Sequence, residues 1–307
     1  MGNGVISVAL CTFNGERYLA PLLESLSTQR QLPAELVVCD DGSSDATWSM
    51  LQDYARGAPF PVSLHRNTER LGPCANFQRA ARLCRGLFTA FADQDDVWLP
   101  GKLTRALAAL AAVPDPAASL YCSRLTCIDG HGRVIAHTRL PRVVGPANAP
   151  VENVAYGCSM VFGATLKAYF LAASARDMVM HDWWLYLLAS AFGRVCYDPQ
   201  PQVHYRQHTT NVAGWQPPLR RWSARVTTTA ARLLAGRQGT DSLNQAARFV
   251  ATYPNCPSSL REAMEATLAA RGAGLRVRAR LARKPFFTRN DPIEDLVLRL
   301  MLLLGIH

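Results

Sequence analysis

The stretch Phe91-Ala92-Asp93-Gln94-Asp95-Asp96-Val97-Trp98-Leu99-Pro100 sets three carboxylates within four residues. It follows the apolar run Gly86-Leu87-Phe88-Thr89-Ala90-Phe91-Ala92, which predicts a buried strand closed by a turn. Carboxylates this close repel one another, and a fold tolerates them only when a cation or a proton relieves them. A divalent metal gives that relief, and hard oxygen donors suit Mg²⁺ or Mn²⁺. A solvated acidic loop, or a helix N-terminus where Asp is favoured, accounts for an isolated cluster as well. The rest of the chain has to decide.

N-terminal to this stretch the chain alternates strands with helices. Val5 to Cys11 is a β-branched apolar run that suits a buried parallel strand. From Glu16 to Gln29, Leu19, Leu22, Leu23 and Leu26 share one helical face. Leu36-Val37-Val38-Cys39 is a second strand, ending in Asp40-Asp41-Gly42-Ser43-Ser44-Asp45, with Ser44 or Asp45 placed to cap a helix through Trp48, Leu51 and Tyr54. A third strand over 61–65 and a helix over 73–85 lead to the acidic stretch. This order predicts a mostly parallel, doubly wound α/β sheet. Two strands then end in clustered aspartates on one sheet edge, where such sheets bind ligands. Neither a G-x-x-x-x-G-K-[ST] nor a G-x-G-x-x-G string is present, so a diphosphate there has to be held by metal and side-chain donors.

The 307 residues suffice for one large α/β domain with an appendage. The nine cysteines are scattered without a C-x-x-C pair, which favours reduced thiols and a cytoplasmic setting. No leader and no membrane-spanning run is expected. Residues 1–215 hold 18 basic and 17 acidic side chains, whereas 216–307 hold 15 and 6, so the second segment carries nearly all of the net +10. The expected division is a catalytic domain over 1–215 and a basic, amphipathic helical region over 216–307.

Leu120–Ile128 and Val134–Ala136 predict a hairpin around Asp129-Gly130-His131-Gly132, residues 159–162 a further strand, and 139–150 a lid or acceptor-side loop. Asp182, in His181-Asp182-Trp183-Trp184, opens an apolar helix. It reads as a first-turn dipole partner or as a general base made more basic by the tryptophans beside it. His181 reads as structural, and Trp183 and Trp184 as core or as sugar-stacking platforms. In Tyr205-Arg206-Gln207-His208, His208 is eligible as a metal ligand and Arg206 as a diphosphate clamp, against a satisfied core or surface role for each.

Together, Cys11-Thr12-Phe13-Asn14, Val38-Cys39-Asp40-Asp41-Gly42-Ser43-Ser44-Asp45 and Asp93-Gln94-Asp95-Asp96 resemble the family 2 glycosyltransferases of the GT-A fold. With Val97-Trp98-Leu99-Pro100 the acidic motif is similar to that of bacterial rhamnosyltransferase-like members. The resemblance runs over about residues 4–214. It implies a GT-A doubly wound mixed sheet with a helical C-terminal extension. It implies nucleotide-sugar binding by Thr12, Phe13, Asn14, Asp41, Asp93 and Arg206, with Asp41 accepting from the base and Asp93 near the ribose. It implies a divalent metal, Mg²⁺ or Mn²⁺, on Asp95 and His208, and Asp182 as the base of an inverting transfer.

The expected function is metal-dependent transfer of a sugar, rhamnose being one option, from a dTDP- or UDP-sugar to a saccharide or lipid-linked saccharide in surface polysaccharide synthesis. A sugar-nucleotide nucleotidyltransferase and a non-catalytic membrane scaffold of the same fold are the alternatives. The first is disfavoured because no Gly-rich, lysine-bearing loop follows the opening strand.

In the basic segment, residues 219–235, 276–280 and 294–306 combine arginines with apolar faces. Such helices suit the inner, anionic face of the cytoplasmic membrane, or a cap on the catalytic domain that leaves its arginines in water. Nucleic acid is not expected as a partner, since no binding module is recognisable.

Overall fold

The computed structural model describes residues 5–208 and 241–305. Chain contacts divide it into two compact units: residues 1–140 with 155–212, and residues 141–154 with 213–307.

The first unit is built on one mixed sheet. Its N-terminal half holds β1 (Ile6–Thr12), β2 (Glu35–Asp40), β3 (Val62–Arg66) and β4 (Phe88–Asp93), all parallel and in the order β3-β2-β1-β4. The helices α1 (Glu16–Ser27), α2 (Thr47–Gly57) and α3 (Pro73–Leu83) connect them. The expected leucine face of α1, Leu19, Leu22, Leu23 and Leu26, is buried. Truncating any one of them to Ala would cost about 2–5 kcal/mol. Register sets Thr12 beside Asp40 and Cys11 beside Asp93, so β1, β2 and β4 deliver their terminal residues to the same edge.

The second half of the sheet is mixed. Beyond β4 come β8 (Val161–Gly163), β6 (Ser119–Ile128), β9 (Arg194–Arg206) and β5 (Val97–Trp98), and β7 (Val134–His137) closes the expected hairpin on β6. Strand β8 is antiparallel to both neighbours, β4 and β6, whereas β6 and β9 run parallel. The β6–β9 ladder skips from Asp198 to Val203, across Pro199 and Pro201, which lack the N–H that a ladder needs. Helices α4 (Lys102–Ala111), α5 (Ala164–Ala172) and α6 (His181–Phe192) complete the unit. Under the acidic edge, Phe91 meets Phe77 and Phe162 with ring centroids 4.8 Å apart in each pair, and His181 stacks on Phe77 at 4.0 Å.

The second unit holds α7 (Asp241–Thr252), α8 (Ser258–Ala269), α9 (Leu275–Arg283) and α10 (Pro292–Leu304). Asp291 caps α10 by accepting from the N–H groups of Ile293 and Glu294, and Gly305 ends it in the left-handed region at φ 72°. Asn290 ties the 141–154 segment in. Its Oδ1 accepts from the N–H of Arg142 (2.6 Å) and Val143 (2.7 Å), and its Nδ2 donates to Glu152 (2.9 Å). The loop over 139–150 that the sequence suggests as a lid is therefore largely pinned to the start of α10. The amphipathic stretch 219–235, with Arg221, Arg225 and Arg232, lies outside the described residues. Among the described residues no helix is long and apolar enough to cross a membrane.

Candidate active site

The turns after β1 and β2 are laced together by side chains. Thr12 Oγ1 donates to Asp40 Oδ1 at 2.9 Å, and the Ser43 hydroxyl donates to the same oxygen at 2.5 Å. Asn14, at φ 48°, accepts on Oδ1 from the N–H of Ser44 at 2.8 Å. Asp45 accepts from the N–H of Thr47 at 3.0 Å, although α2 itself begins two residues beyond it. Thr12 and Asn14 thus brace the floor of the crevice.

Asp41 organises a third loop. Its Oδ1 accepts from Asn67 Nδ2 (2.6 Å) and the Leu71 N–H (2.7 Å), and its Oδ2 from the Gly72 N–H (2.9 Å). A carboxylate offers about four acceptor positions, so about one is left for a ligand. This anchoring carries Arg70 to Phe13, with its guanidinium carbon 3.8 Å from the ring centroid. No pattern in the sequence marks Arg70.

Gln94 lies at the centre of the acidic turn. Its Oε1 accepts from the Phe13 N–H at 2.8 Å and its Nε2 donates to the Phe13 carbonyl at 2.9 Å, as a neighbouring strand would. A Cβ built at Gly15 would overlap the Gln94 amide, so the glycine makes this clasp possible. No pattern in the sequence marks Gln94, because its flanking aspartates carry the charge.

The acidic residues face different surroundings. Asp95 Oδ2 sits 2.7 Å from His208 Nε2, and His208 stacks on Tyr18 at 5.0 Å. Arg206 supports this pair from behind: its Nε donates to the Asp95 carbonyl at 2.9 Å, its Nη1 to the Asp129 carbonyl at 3.2 Å, and its guanidinium lies over Tyr18. Asp93 is pushed up to about 8, first by burial, then by the charges of Asp95 and Asp182. Asp182, from the first turn of α6, is therefore close enough to Asp93 to act on it. Asp182 Oδ2 accepts from the Gly157 N–H at 3.1 Å and Oδ1 from the Trp183 N–H at 2.6 Å. Trp184 is fully buried and belongs to the core, whereas Trp183 is half-buried.

Below the turn lies a second, buried group. Asp96 accepts from the Arg206 N–H at 3.0 Å, and burial, then Asp95 and Asp93, push its carboxyl well up. The Cys158 thiol is pushed up by burial and by Asp96. Lys102 is fully buried, with Nζ 3.0 Å from the Trp98 ring centroid and no hydrogen-bond partner among the described residues. Burial pulls the Lys102 amine well down, opposed by Cys158, Asp96 and Asp93.

Two sets of donors could hold a divalent cation. Asp93, Asp96 and Cys158 have donor atoms within 4.8 Å of one another. That set suits Mg²⁺ or Mn²⁺ poorly, because a thiolate is a soft ligand, and the Lys102 amine lies within electrostatic reach of all three groups. Asp95 and His208 fit better: two adjacent ligands of an octahedral ion at about 2.1 Å lie about 3 Å apart, close to the 2.7 Å between Oδ2 and Nε2. Diphosphate oxygens and water would complete such a shell.

A parallel β3-β2-β1-β4 half-sheet with acidic strand ends at one edge, continued by a mixed half that carries a further carboxylate, is the architecture of the GT-A nucleotide-sugar transferases. Residues 7–142 match the family model Glycosyl transferase family 2, and this part of the chain is a glycosyltransferase domain of that family. It is 25% identical over 222 residues to the dTDP-rhamnosyl transferase RfbG of Shigella flexneri, covering 67% of this chain and 73% of that protein. Against three mycobacterial relatives of 23% identity, the match spans 60% of their length. Among solved structures, Staphylococcus aureus TarS 1-349 in complex with UDP is similar in fold, with TM-score 0.58, 16% identity, 98% of this chain covered and 87% of that one. The mannosyltransferase PcManGT of Pyrobaculum calidifontis, in complex with GDP-Man and Mn²⁺, gives TM-score 0.52 at 18% identity, covering 99% and 86%.

Proposed function

We propose that the chain transfers a sugar with inversion from a nucleotide-sugar donor to a hydroxyl of a saccharide or lipid-linked saccharide, in bacterial surface polysaccharide synthesis. The observation that supports this reading is the meeting of the acidic turn after β4 with the imidazole after β9, Asp95 Oδ2 lying 2.7 Å from His208 Nε2, with Asp182 within electrostatic reach of Asp93. Asp182 takes the proton of the acceptor hydroxyl as its oxygen attacks C1 of the sugar. The bond from C1 to the diphosphate oxygen breaks, and the nucleoside diphosphate leaves with the bonding pair. Gly157 and Trp183 aim the Asp182 carboxylate through their N–H groups.

Asp95 and His208 hold a divalent cation, Mg²⁺ or Mn²⁺, which when bound neutralises charge developing on the departing diphosphate. Phe13 and Arg70 flank the nucleotide base, Asp41 offers it an acceptor, and Asp93 lies at the ribose. Thr12 and Asn14 hold the floor beneath them. Arg206 keeps the Asp95 carbonyl in place and places its positive charge at the diphosphate. The likeness to a dTDP-rhamnosyl transferase favours dTDP-rhamnose as the first donor to try, with UDP-sugars next.

The test is release of nucleoside diphosphate from a panel of dTDP- and UDP-sugars, with and without Mg²⁺ or Mn²⁺, using lipid extract as acceptor. Acceptor-dependent release that Asp95→Asn and Asp182→Asn both abolish supports the reading. Pyrophosphate formed from a sugar phosphate and a nucleoside triphosphate would replace it with nucleotidyl transfer.

A further inference from the structure

Helix α10 has two apolar faces, and among the described residues it packs one of them. Leu298, Met301 and Leu302 are buried, whereas Ile293, Leu296, Leu300 and Leu304 are 54%, 56%, 48% and 59% exposed. The exposed four are spaced by three, four and four residues, so they form one stripe along the helix. A surface helix that needed only to cover a core would carry polar residues there. Leu275, Val277 and Phe286, on the neighbouring α9 and the turn after it, are exposed too. Seven large apolar side chains outward within 30 residues of chain exceed the scattered exposure of ordinary surfaces.

The charge beside the stripe has one sign. Arg276, Arg280 and Arg283 are exposed and spaced by four and three residues along α9, and Lys284 follows. No acidic residue occurs from 275 to 290. The three that occur on α10 and its cap are engaged: Asp291 caps the helix, Glu294 is buried 3.9 Å from Arg289, and Asp295 pairs with Arg299 at 2.7 Å. The two helices are bound side by side. Arg299 Nη1 donates to the carbonyls of Ala282 (3.1 Å) and Arg283 (3.0 Å), and Arg278 Nη1 donates to that of Leu304 (2.8 Å).

We infer that α9 and α10 dock on an anionic lipid surface, the leucine stripe entering the headgroup–acyl boundary and the α9 arginines meeting lipid phosphates. Two other occupants fit less well. Nucleic acid would take the arginines but leave the stripe in water. A second copy of the chain would bring like-charged α9 faces together. The 13 residues of α10 extend about 20 Å, short of the roughly 30 Å hydrocarbon core, so the helix lies in the interface without spanning it. The inference concerns the second unit alone and stands apart from the transfer chemistry.

The experiment is flotation of the full chain with vesicles of phosphatidylcholine alone or mixed with phosphatidylglycerol, at low and high salt. Binding is expected only to the mixed vesicles, and salt should weaken it. Leu296→Gln with Leu300→Gln, and separately Arg276→Glu with Arg280→Glu, should each lower partitioning by about tenfold or more, with unchanged circular dichroism and melting temperature. Equal binding to neutral and anionic vesicles, no binding, or indifference to both double variants would overturn the inference. So would a dimer in solution that the leucine variant turns into a monomer, since a second copy would then cover the stripe.

Discussion

His208 Nε2 lies 2.7 Å from Asp95 Oδ2, although 113 residues separate the two in the chain. The end of β9 thus brings an imidazole to the carboxylate that follows β4. If the pair shares a divalent cation, removing the imidazole should weaken the ion before it weakens the donor. His208→Ala is expected to raise the Mn²⁺ concentration for half-maximal diphosphate release about 10–100-fold, with a smaller change at saturating metal. Metal titrations of product release, with Mn²⁺ binding followed by electron paramagnetic resonance, measure both. An unchanged metal dependence would leave His208 as a hydrogen-bond support for Asp95.

Asp182→Asn keeps the shape of the side chain and removes the proton acceptor. The turnover rate should fall by about 10²–10⁴-fold, with donor binding by calorimetry within error of the parent chain. A Cβ at Gly157 would stand 3.0 Å from His181 Nε2 and 3.4 Å from Asp182 Cβ. Gly157→Ala should therefore mimic part of the Asp182 defect by re-aiming the carboxylate. Loss of donor affinity in Asp182→Asn would instead place this residue on the donor.

Gln94→Ala removes both hydrogen bonds to the Phe13 backbone. Two part-buried partners are left without their mate, so a loss of about 1–2 kcal/mol in stability is expected, together with a raised KM for donor. Gly15→Ala should resemble it, because the added methyl displaces the Gln94 amide. Denaturant unfolding and donor saturation curves read the two effects separately. A stability loss with unchanged KM would show that the clasp serves only the fold.

Lys102 and Asp96 act on each other electrostatically in the buried group beneath the turn, although burial pushes the amine down and the carboxyl up, toward their neutral forms. Lys102→Met should therefore cost less than a stranded buried charge would, about 1–3 kcal/mol for the lost polar partner. The double variant Lys102→Met with Asp96→Asn should recover part of that loss. If the two substitutions are additive by urea unfolding, the lysine is not the partner of Asp96.

His181 predicts an acid sensitivity. Burial lowers it from 6.5 to about 3, and neither ring nitrogen has a hydrogen-bond partner among the described residues. Between pH 6.5 and about 3 the unfolded chain binds a proton that the folded chain does not. The His181 contribution is therefore complete above pH 6.5 and is lost as the pH falls through this window, by up to about 1.4 kcal/mol per pH unit. His181→Phe, which retains a ring against Phe77, should flatten the pH dependence of the melting temperature there. A profile parallel to the parent would mean that other groups govern acid unfolding.

The N-terminal half of the sheet was legible because each element is self-contained: β1, β2 and β4 are continuous apolar runs, and α1 shows its leucine face within a dozen residues. The β6–β7 hairpin was legible from its glycine turn, where Gly132 takes φ 84°. In the mixed half β8 was legible as well, as the strand expected over 159–162, whereas β9 was not. Strand β9 carries two prolines that argue against a strand until its partner β6 is known. At the site, Asp41, Asp93, Asp95, Asp182 and His208 announced themselves by charge or ring. Gln94, Lys102, Cys158 and Arg70 did not, because what each does depends on a partner that only the fold supplies. Gln94 meets Phe13 across 81 residues, and its amide is otherwise unremarkable in a turn.

The Asn290 clasp fixes an order in time as well as in space. The 141–154 segment leaves the ribosome well before Asn290, and its contact with Glu152 closes a separation of 138 residues. At about 5–20 residues per second, roughly seven to thirty seconds of synthesis pass before that partner exists. During this interval Ala149 and Val151, fully or nearly fully buried in the finished protein, wait in water. A nascent chain halted before Asn290 is thus left with an unpaired strap, and chaperone capture of stalled chains should centre on this segment.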